Sequence, residues 1–401
     1  MAPGGAAIVS NAKQKMMILE VSTSYLPKVN GTTVTIRNLR AGLCARGHEV
    51  TTLTEGRDRS SSFERDEWGA VVRLGSGRGP GRLPLFMLQG ARFALKASRS
   101  GGADVIHAHG LVAGALALPA RLVHGTPFVI TFHQEMGRGN LPREGLRSFA
   151  SGVLTSPLLR LVCALSSRVT AQSERIADAF HAELHIPRSK TEVIPNPVMN
   201  LSTPGYPHER APDSHRVLYV GNLGRNKGVH LLVGAMPRVL RAVPSASLYV
   251  VGKGPQRDNL AKLADKLGIS SSVHFEGAKE DAAELVSEYL SAAVLVLPSS
   301  SEMFGLVLAE ALSLGVPVVA TKTVGALSIV REDETGTLVE VGDVGSLADA
   351  IAWTISNPEK AARMAAAGRA DVQRFSIEMV AARYEALFRQ AIMEARTGSR
   401  V

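Results

Sequence analysis

Short apolar runs recur along the chain, and segments with a helical period separate them. In the first half the predicted strands are Met16–Ser24, His48–Thr54, Val71–Leu74, Asp104–His109, Pro127–His133, Arg168–Gln172 and Thr191–Pro197. The helices predicted between them are Thr32–Arg46, Leu111–Val123 and Ser148–Leu165. A strand, a helix and a second strand in succession form the unit of a parallel sheet covered by helices.

The second half of the chain repeats this pattern. Its predicted strands are Arg216–Gly221, Ser247–Gly252, Val273–Gly277, Val294–Leu297, Pro317–Ala320 and Thr335–Val341. The Pro-rich segment Pro195–Pro212 is a candidate linker, and 401 residues are too many for one ordinary core. We therefore predict an α/β protein with two doubly wound Rossmann-like domains that face a cleft, residues 1–200 and 213–375, followed by a terminal segment, 376–401.

Some segments receive no functional role from their sequence. Glu55–Trp68 and Gly75–Pro84 are rich in Arg, Gly and Ser, and we expect them to be mobile connections around a short strand. His107 and His109 alternate on one face of a predicted strand. We expect both to be structural histidines with satisfied hydrogen bonds.

The charge of the chain narrows the classes of partner. The formal net charge is +9, but only 5% of residues are aromatic and the arginines are dispersed, which argues against nucleic-acid binding. Attraction of an anionic nucleotide, attraction of a membrane surface, and a basic background that favours solubility all remain open. No apolar run approaches the roughly 18 residues that span a bilayer. The N-terminus has no apolar core of signal-peptide length, and we expect a cytoplasmic protein.

The content of metal-ligating residues points to chemistry without a metal. Cys44 and Cys163 are far apart in sequence and fit a reducing compartment without disulfides. No Cys/His spacing indicates a zinc site, and no Asp-x-Asp triplet indicates a metal bound to a diphosphate. We therefore expect neither a metal nor a cofactor.

The most informative stretch is Val294–Thr321, a strand, loop, helix and second strand. Glu302 lies beyond the carboxyl end of the first strand, where open α/β sheets bind ligands. The Phe304–Gly305 corner opens a helix whose first N–H groups suit phosphate oxygens. Glu310 lies further along the same helix and could reach a ribose. This order of groups suits a ligand composed of sugar, diphosphate and ribose.

The whole segment resembles the Glu-x7-Glu signature of the family 4 retaining glycosyltransferases, which have the two-domain GT-B fold. The resemblance covers nearly the whole chain, with strong motifs in the second half and weak ones in the first. It implies that Glu302 holds hydroxyls of the transferred sugar and that Glu310 holds the ribose. The donor-binding corner implied by the resemblance is formed by Met303, Phe304, Gly305 and Leu306.

The loop Gly221–Gly228 is the second element of the resemblance. The family pattern is Gly-Arg followed some residues later by Lys-Gly, and Lys227 with its glycine matches the second part. Asn222 stands where the family has Arg. Either Arg225 supplies the missing positive charge to the diphosphate, or Asn222 forms only a hydrogen bond.

The nucleotide base is expected in loops that contact it largely through backbone atoms. The glycines assigned to donor binding in these loops are Gly221, Gly252, Gly254 and Gly277. Backbone recognition leaves little trace in a sequence, and we expect uridine rather than guanosine as the base.

The first half carries fewer indications of the site. Gly31, after Asn30, lies at the start of the first helix, where a glycine allows close approach of a ligand, although an Asn-Gly pair is usually a turn. The TFH triplet ending in His133 resembles the family's cleft histidine, which contacts the sugar; a structural histidine is the alternative. The acceptor pocket is expected near Gln134–Arg147. The resemblance implies that the last helix, Ile377–Ala395, crosses back to the first domain, although it could also pack on its own domain.

The reaction implied by the resemblance is metal-independent transfer of a sugar with retention of configuration. Its implied catalytic residues are His133, Glu302, Lys227 and Arg225. The partners are a nucleotide-sugar donor and an acceptor that is a glycolipid, a polysaccharide or a small-molecule polyol. An Arg-bearing loop beside an apolar helix allows a peripheral contact with the inner face of a membrane, with ordinary packing as the alternative. Two other functions stay open, a nucleotide-sugar epimerase and a donor-binding protein without transfer activity.

Overall fold

The computed structural model describes residues 15–27, 30–56, 60–77, 81–133, 157–199, 213, 215–279 and 281–398. Within these ranges the chain forms two separate sheets, one in each half, with helices packed on them. The predicted fold class, two doubly wound α/β domains, is confirmed.

The first sheet has eight described strands in the order β3-β4-β2-β1-β5-β6-β7-β8. Their bounds are β1 Met17–Ser22, β2 Glu49–Gly56, β3 Ser62–Asp66, β4 Gly69–Gly75, β5 Val105–His109, β6 Phe128–Thr131, β7 Arg168–Ala171 and β8 Thr191–Val193. All neighbours pair in parallel except β3 and β4. The strand order changes direction between β1 and β5, so the loops after these two strands border a crevice.

Five helices lie within the described residues of the first half and accompany this sheet. They are α1 Gly31–Ala45, α2 Arg82–Arg99, α3 Leu111–His124, α4 at residues 157–165 and α5 Glu174–Leu184. Apolar side chains from α2, α3 and α4 and from the sheet form one buried cluster, which includes Phe86, Leu116 and Val162. This cluster forms the core on one face of the first sheet.

The second sheet has six described strands in the order β11-β10-β9-β12-β13-β14. Their bounds are β9 Arg216–Val220, β10 Ser247–Val251, β11 Val273–Gly277, β12 Val294–Leu297, β13 Val318–Thr321 and β14 Thr337–Val339. All are parallel to their neighbours. The order changes direction between β9 and β12, which defines the crevice of the second domain.

The remaining helices belong to the second half of the chain. They are α6 Val229–Ala242, α7 Arg257–Lys266, α8 Ala282–Ser291, α9 Leu306–Ser313, α10 Ala326–Ile329, α11 Val344–Ser356, α12 Pro358–Asp371 and α13 Ile377–Thr397. The central strands β9, β12 and β13 are buried and almost wholly apolar, as expected for a parallel sheet with both faces covered, whereas only Val273 is buried in the edge strand β11.

The last helix, α13, packs on the first domain. Tyr384 and Phe388 of α13 lie in one buried cluster with Leu39 and Leu43 of α1 and with residues of the first sheet. A Cβ atom at Gly42 of α1 would lie 2.6 Å from the Cβ of Ala381, so the absence of a side chain there lets the two helices approach.

Ion pairs also join α13 to the first domain. Arg168 of β7 donates two hydrogen bonds to Glu394, at 2.9 and 2.6 Å. Glu385 is almost fully buried and accepts hydrogen bonds from Arg46, just after α1, and from Arg389 of its own helix. The two domains are therefore connected by α13 as well as by the segment between them.

Some of the predicted boundaries and assignments need correction. The segment Glu55–Trp68, predicted as a connection, contains β3, which pairs antiparallel with β4. The strand predicted at Pro127–His133 ends at Thr131. Helix α2 is not among the predicted helices, and its first residues fall in Gly75–Pro84, which is predicted as a connection. Its N-cap, Gly81, makes no side-chain hydrogen bond, so the sequence carries no strong signal for the start of this helix. Of the predicted linker Pro195–Pro212, residues 200–212 lie outside the described residues, and so does the predicted loop Gln134–Arg147.

Among the described residues, the helices are all too short or too polar to cross a lipid bilayer.

We predict that Glu385→Gln destabilises the chain by about 2 kcal/mol at neutral pH, because the two arginine partners lose a buried charge. Burial alone raises the pKa of Glu385, but the hydrogen bonds from Arg389 and Arg46 outweigh it and lower that pKa to about 2. The unfolded value is near ~4.3. The stabilisation is therefore complete above the unfolded pKa and is lost as the pH falls toward 2.

Urea unfolding at neutral and acidic pH measures this effect. The exposed Glu183 on α5 gives a matched control, since Glu183→Gln should change the free energy of unfolding by less than ~0.5 kcal/mol. A Glu385→Gln deficit of the same size at both pH values would contradict the ion-pair interpretation.

Candidate active site

The loops that follow β9 and β12 lie side by side at the carboxyl edge of the second sheet. The backbone N–H of Ser300 donates to the carbonyl of Asn226 at 2.9 Å, which joins the two loops. Gly228 has a φ of +69°, and a Cβ atom there would lie 1.9 Å from the carbonyl oxygen of Pro298. Only glycine allows this approach, so the Lys-Gly motif has a structural reason for its second residue.

This contact brings Lys227 and Glu302 together. The Lys227 Nζ donates to the Glu302 Oε2 at 2.6 Å. The two side chains are 26% and 17% exposed, so the pair lies at the surface of the crevice rather than in the core. A ligand that enters the crevice therefore meets the Lys227 ammonium group and the Glu302 carboxylate side by side, because the two are hydrogen-bonded to each other.

The corner after Glu302 is held by backbone contacts. Gly305, with a φ of +83°, precedes α9, and the N–H of Gly325 donates to the carbonyl of Glu302 at 2.7 Å. A Cβ atom at Gly325 would lie 2.5 Å from the Phe304 nitrogen. The Phe304 ring is buried edge-on against Phe375, with 5.3 Å between ring centroids. The corner therefore contributes backbone rather than the Phe304 side chain, and the first N–H groups of α9 form an anion-binding helix end.

Glu310 is held by a residue that the sequence analysis did not identify. The Tyr289 hydroxyl, on α8, donates to the Glu310 Oε2 at 2.7 Å. Burial raises the pKa of Glu310, against the opposing effects of this hydrogen bond and of the positive charge of Arg37 on α1. From Leu306 to Glu310 the helix rises roughly 6 Å, which sets this carboxylate deeper in the crevice than the helix end.

Packing between loops, rather than contact with a base, explains the glycines of the predicted base pocket. A Cβ atom at Gly252 would lie 1.8 Å from the carbonyl oxygen of Gly221, and one at Gly254 would lie 2.7 Å from the nitrogen of Leu223. Gly252 also donates to the carbonyl of Gly277 at 2.7 Å. These glycines allow three strand-end loops to pack on each other, and they line the edge at which the base was predicted.

Asn222 and Arg225, the two candidates for the missing positive charge, are both exposed in the loop after β9. The carbonyl of Asn222 accepts from the buried Tyr219 hydroxyl at 2.9 Å, which fixes the backbone beside Gly221. Arg225 begins the short 3-10 helix that ends at Lys227. Both therefore lie near Lys227 along the chain.

His133 follows β6 by two residues and contacts another histidine. Its Nε2 lies 2.9 Å from the Nδ1 of His109, and the two rings stack with centroids 5.2 Å apart. Burial, with a smaller contribution from His107, lowers the pKa of His133 to about 3. The His133 ring is therefore neutral near pH 7. The expectation that His107 and His109 have satisfied hydrogen bonds is not met, because each has one ring nitrogen without a partner.

Two interactions among the described residues link the domains across the crevice. Met303 of the corner and Val324 pack against the first-domain cluster that contains Phe132, the residue before His133. The electrostatic effect of Arg37 on Glu310 is a second link across the crevice. The donor corner of the second domain and the histidine of the first domain therefore border the same space.

Asn30 and Gly31 open α1 rather than a simple turn. The Asn30 side chain accepts from the N–H of Thr33 at 3.0 Å, and the Thr33 hydroxyl accepts from the N–H of Asn30 at 2.9 Å. This is a capping box. A Cβ atom at Gly31 would meet nothing within 4 Å, so packing within the chain does not require glycine there.

A group of side chains that could together hold a metal ion lies away from the corner at Glu302. Among the described residues, the His, Cys, Asp and Glu side chains that could hold an ion together are Glu20, His107 and His109, inside the first sheet. Sequence analysis missed this group, as it missed Tyr289, Gly325 and Arg37. Only the histidines gave a signal, their alternation on one strand; the others become neighbours through tertiary packing.

Comparison with protein families gives two matches that together cover most of the chain. Residues 29–199 match the family described as Glycosyltransferase Family 4, and residues 207–371 match Glycosyl transferases group 1. The chain is 30% identical over 375 residues to a glycogen synthase of Mycobacterium tuberculosis, a match that covers 88% of this chain and 89% of the relative.

Solved structures share the fold. A sucrose-phosphate synthase of Thermosynechococcus elongatus superposes with a TM-score of 0.77 at 23% identity, over 94% of this chain and 100% of the other. HepE of Anabaena, solved in complex with UDP, gives a TM-score of 0.72 at 21% identity over the same shares. Two adjoining family matches, a full-length relative and GT-B structural neighbours thus lead to one assignment: the chain belongs to the family 4 glycosyltransferases and has the GT-B fold.

Proposed function

We propose that this glycosyltransferase moves a hexose or N-acetylhexosamine from a uridine diphosphate sugar to an acceptor hydroxyl, with retention of configuration and without a metal at the diphosphate. The single observation that carries the proposal is the Lys227–Glu302 pair, at 2.6 Å, beside the N-terminus of α9. One cation, one carboxylate and one helix end are the groups that a sugar diphosphate requires.

The diphosphate binds between the helix end and the basic loop. The first N–H groups of α9 donate hydrogen bonds to phosphate oxygens, and Lys227 with Arg225 neutralises the charge that grows on the leaving group. Lys227 is already fixed by its contact with Glu302, so little reorganisation is needed when the donor binds. This preorganisation favours the transition state over the free donor.

The ribose and the base lie deeper in the crevice of the second domain. Glu310, held by a hydrogen bond from Tyr289, accepts hydrogen bonds from the ribose hydroxyls. The base contacts the backbone of the interlocked loops around Gly252 and Gly277. The complex of HepE with UDP supports uridine as the base.

The sugar lies between the two domains. Glu302 accepts its hydroxyls from one side, and the neutral His133 contacts it from the other. Because His133 stays uncharged, it can take part in a hydrogen bond without repelling a sugar that develops oxocarbenium character.

The reaction uses the leaving phosphate as the base for the incoming hydroxyl. A pair of catalytic carboxylates, as in glycoside hydrolases, does not fit this arrangement, since Glu310 is partly buried and hydrogen-bonded to Tyr289. The same face of the sugar then receives the acceptor, which gives retention.

The acceptor is bound by the first domain. Glycogen synthase and sucrose-phosphate synthase, to which this chain is similar, carry names of very different products. A polysaccharide, a glycolipid and a small polyol are accordingly the acceptor classes we propose to test.

The direct test is a panel of nucleotide sugars with pooled acceptors, read by mass spectrometry and by the anomeric NMR signals of the product. We expect a UDP-sugar to be used and the product to keep the anomeric configuration of the donor. Glu302→Gln should lower kcat about 100-fold, while Glu183→Gln leaves it unchanged. An inverted product, or absence of both transfer and hydrolysis with every donor, would refute the proposal.

Lys227→Met tests the charge that stabilises the leaving phosphate. Removing one such donor should reduce kcat by about 10²–10³-fold, because the interaction strengthens as the bond to phosphate breaks. Lys262→Met, at an exposed position of α7, is the matched control. If Lys227→Met raises only the KM of the donor and leaves kcat intact, then Lys227 contributes only to ground-state binding.

Glu310→Gln tests the ribose contact. Losing a charged hydrogen-bond acceptor should weaken UDP binding by about 1.5–3 kcal/mol, measured by calorimetry. The wild-type chain should bind 2′-deoxy- or 3′-deoxy-UDP more weakly than UDP, and Glu310→Gln should lose that discrimination. Equal discrimination in both proteins would place the ribose away from Glu310.

A further inference from the structure

Three ligating side chains meet inside the first sheet, on the face covered by α1 and α13. Glu20 of β1 stands in register with His107 of β5, and Ser22 stands in register with His109. The His107 ring contacts Tyr384 and Phe388 of α13, at centroid distances of 5.0 and 5.3 Å. Glu20 and His107 are fully buried and His109 is 6% exposed, so the group is shielded from solvent.

The facing atoms of this group have no hydrogen-bond partners. The Glu20 Oε1 lies 3.6 Å from the His107 Nδ1 and 4.0 Å from the His109 Nε2, both beyond hydrogen-bond length. Both carboxylate oxygens and both of these ring nitrogens are buried without a partner. Buried polar atoms are normally satisfied, so three side chains directed at one point indicate something that bonds all of them.

The outward nitrogens of the two rings are both engaged. The His107 Nε2 lies 2.8 Å from the Thr131 hydroxyl, and the His109 Nδ1 lies 2.9 Å from the His133 Nε2. A metal-binding histidine typically has its second nitrogen held in this way, which fixes the tautomer and aims the other nitrogen inward. The protein therefore orients both rings toward the Glu20 carboxylate.

The neighbouring arginine, Arg40, does not form a hydrogen bond with Glu20. Arg40 of α1, a fully buried guanidinium, donates to the hydroxyl of Tyr25 and to Asp66, each at 2.7 Å. It also donates to the carbonyl of Ala70 at 3.3 Å, and none of these hydrogen bonds goes to Glu20. A proton shared between Glu20 and one histidine would satisfy one pair and leave the other ring nitrogen unbonded.

We propose that Glu20, His107 and His109 bind one divalent transition-metal ion of the zinc class. Two imidazoles and a carboxylate suit such an ion, whereas Mg²⁺ and Ca²⁺ prefer oxygen ligands. Ligands around tetrahedral zinc lie about 3.3 Å apart, so the observed separations of 3.6 and 4.0 Å need to close by about 0.3 and 0.7 Å. The fourth position is open to the second carboxylate oxygen or to water.

This ion is structural and lies apart from the donor diphosphate. It joins β1 to β5 under α13, in the core that connects the last helix to the first domain. The ion also fixes the direction of the hydrogen bond between His109 and His133, the histidine that borders the crevice. With the His109 Nε2 on the metal, its Nδ1 carries the proton and donates to the Nε2 of His133, which leaves the proton of His133 on its Nδ1.

The test measures metal in the full chain, without reference to transfer activity. Protein produced with zinc in the medium is washed with a weak chelator and analysed by inductively coupled plasma mass spectrometry. We expect one zinc ion per chain in the wild type. His107→Gln and His109→Gln should each lower this by at least tenfold, while His124→Gln, at an exposed end of α3, retains it.

A second measurement needs no variant. Zinc is removed with a strong chelator in dilute urea, and the melting temperature is recorded before removal, after it, and after adding back Zn²⁺ or Mg²⁺. We expect Tm to fall on removal and to recover with Zn²⁺ only. A wild-type chain that carries no metal and whose Tm does not respond to Zn²⁺ would overturn the proposal, with a buried water or shared proton as the remaining account. Zinc retained equally by all variants would also overturn it.

Discussion

The packing of two backbone loops against each other at the carboxyl edge of the second sheet determines where the charges of the donor site lie. Gly228 passes so close to the carbonyl of Pro298 that no side chain fits between them. Since β9 and β12 are neighbours at the switch point, this contact fixes the distance between Lys227 and Glu302. A side chain at Gly228 would force the loops apart and separate the cation from the carboxylate.

Glu310 and Glu20 are two carboxylates that the surrounding residues hold in opposite ways. Glu310 has a neighbouring hydroxyl, from Tyr289, and a positive charge across the crevice, from Arg37. Glu20 also has a positive charge nearby, that of Arg40, but neither of its oxygens has a hydrogen-bond partner. A buried carboxylate without hydrogen bonds is costly, so the comparison singles out Glu20 as the group that requires a further partner.

The last helix makes the two domains interdependent. Its apolar stripe completes the core of the first domain, and Glu385 and Glu394 pair with arginines of that domain. The histidine cluster lies under this helix, and His133 connects the cluster to the crevice. The arrangement of the first-domain side of the site therefore depends on residues from the end of the chain.

The sequence by itself determined the fold class and the local geometry of the corner between Glu302 and Glu310. Alternating apolar runs and helical segments are local patterns, and Glu302, Gly305 and Glu310 lie in one continuous stretch, so their relative positions follow from a strand, a turn and a helix. Local pattern also explains the errors. The residues of β3 are mostly exposed, so it has no apolar signal and becomes a strand only by pairing with β4.

Tertiary structure decided everything that joins distant segments. Tyr289 reaches Glu310 because α8 and α9 lie on the same sheet, Gly325 supports the corner from another loop, and Arg37 approaches Glu310 from the other domain. Glu20 and the histidines of β5 are more than eighty residues apart and become neighbours through strand register alone. Register and domain packing depend on the whole folded chain, so no local pattern could have specified these contacts.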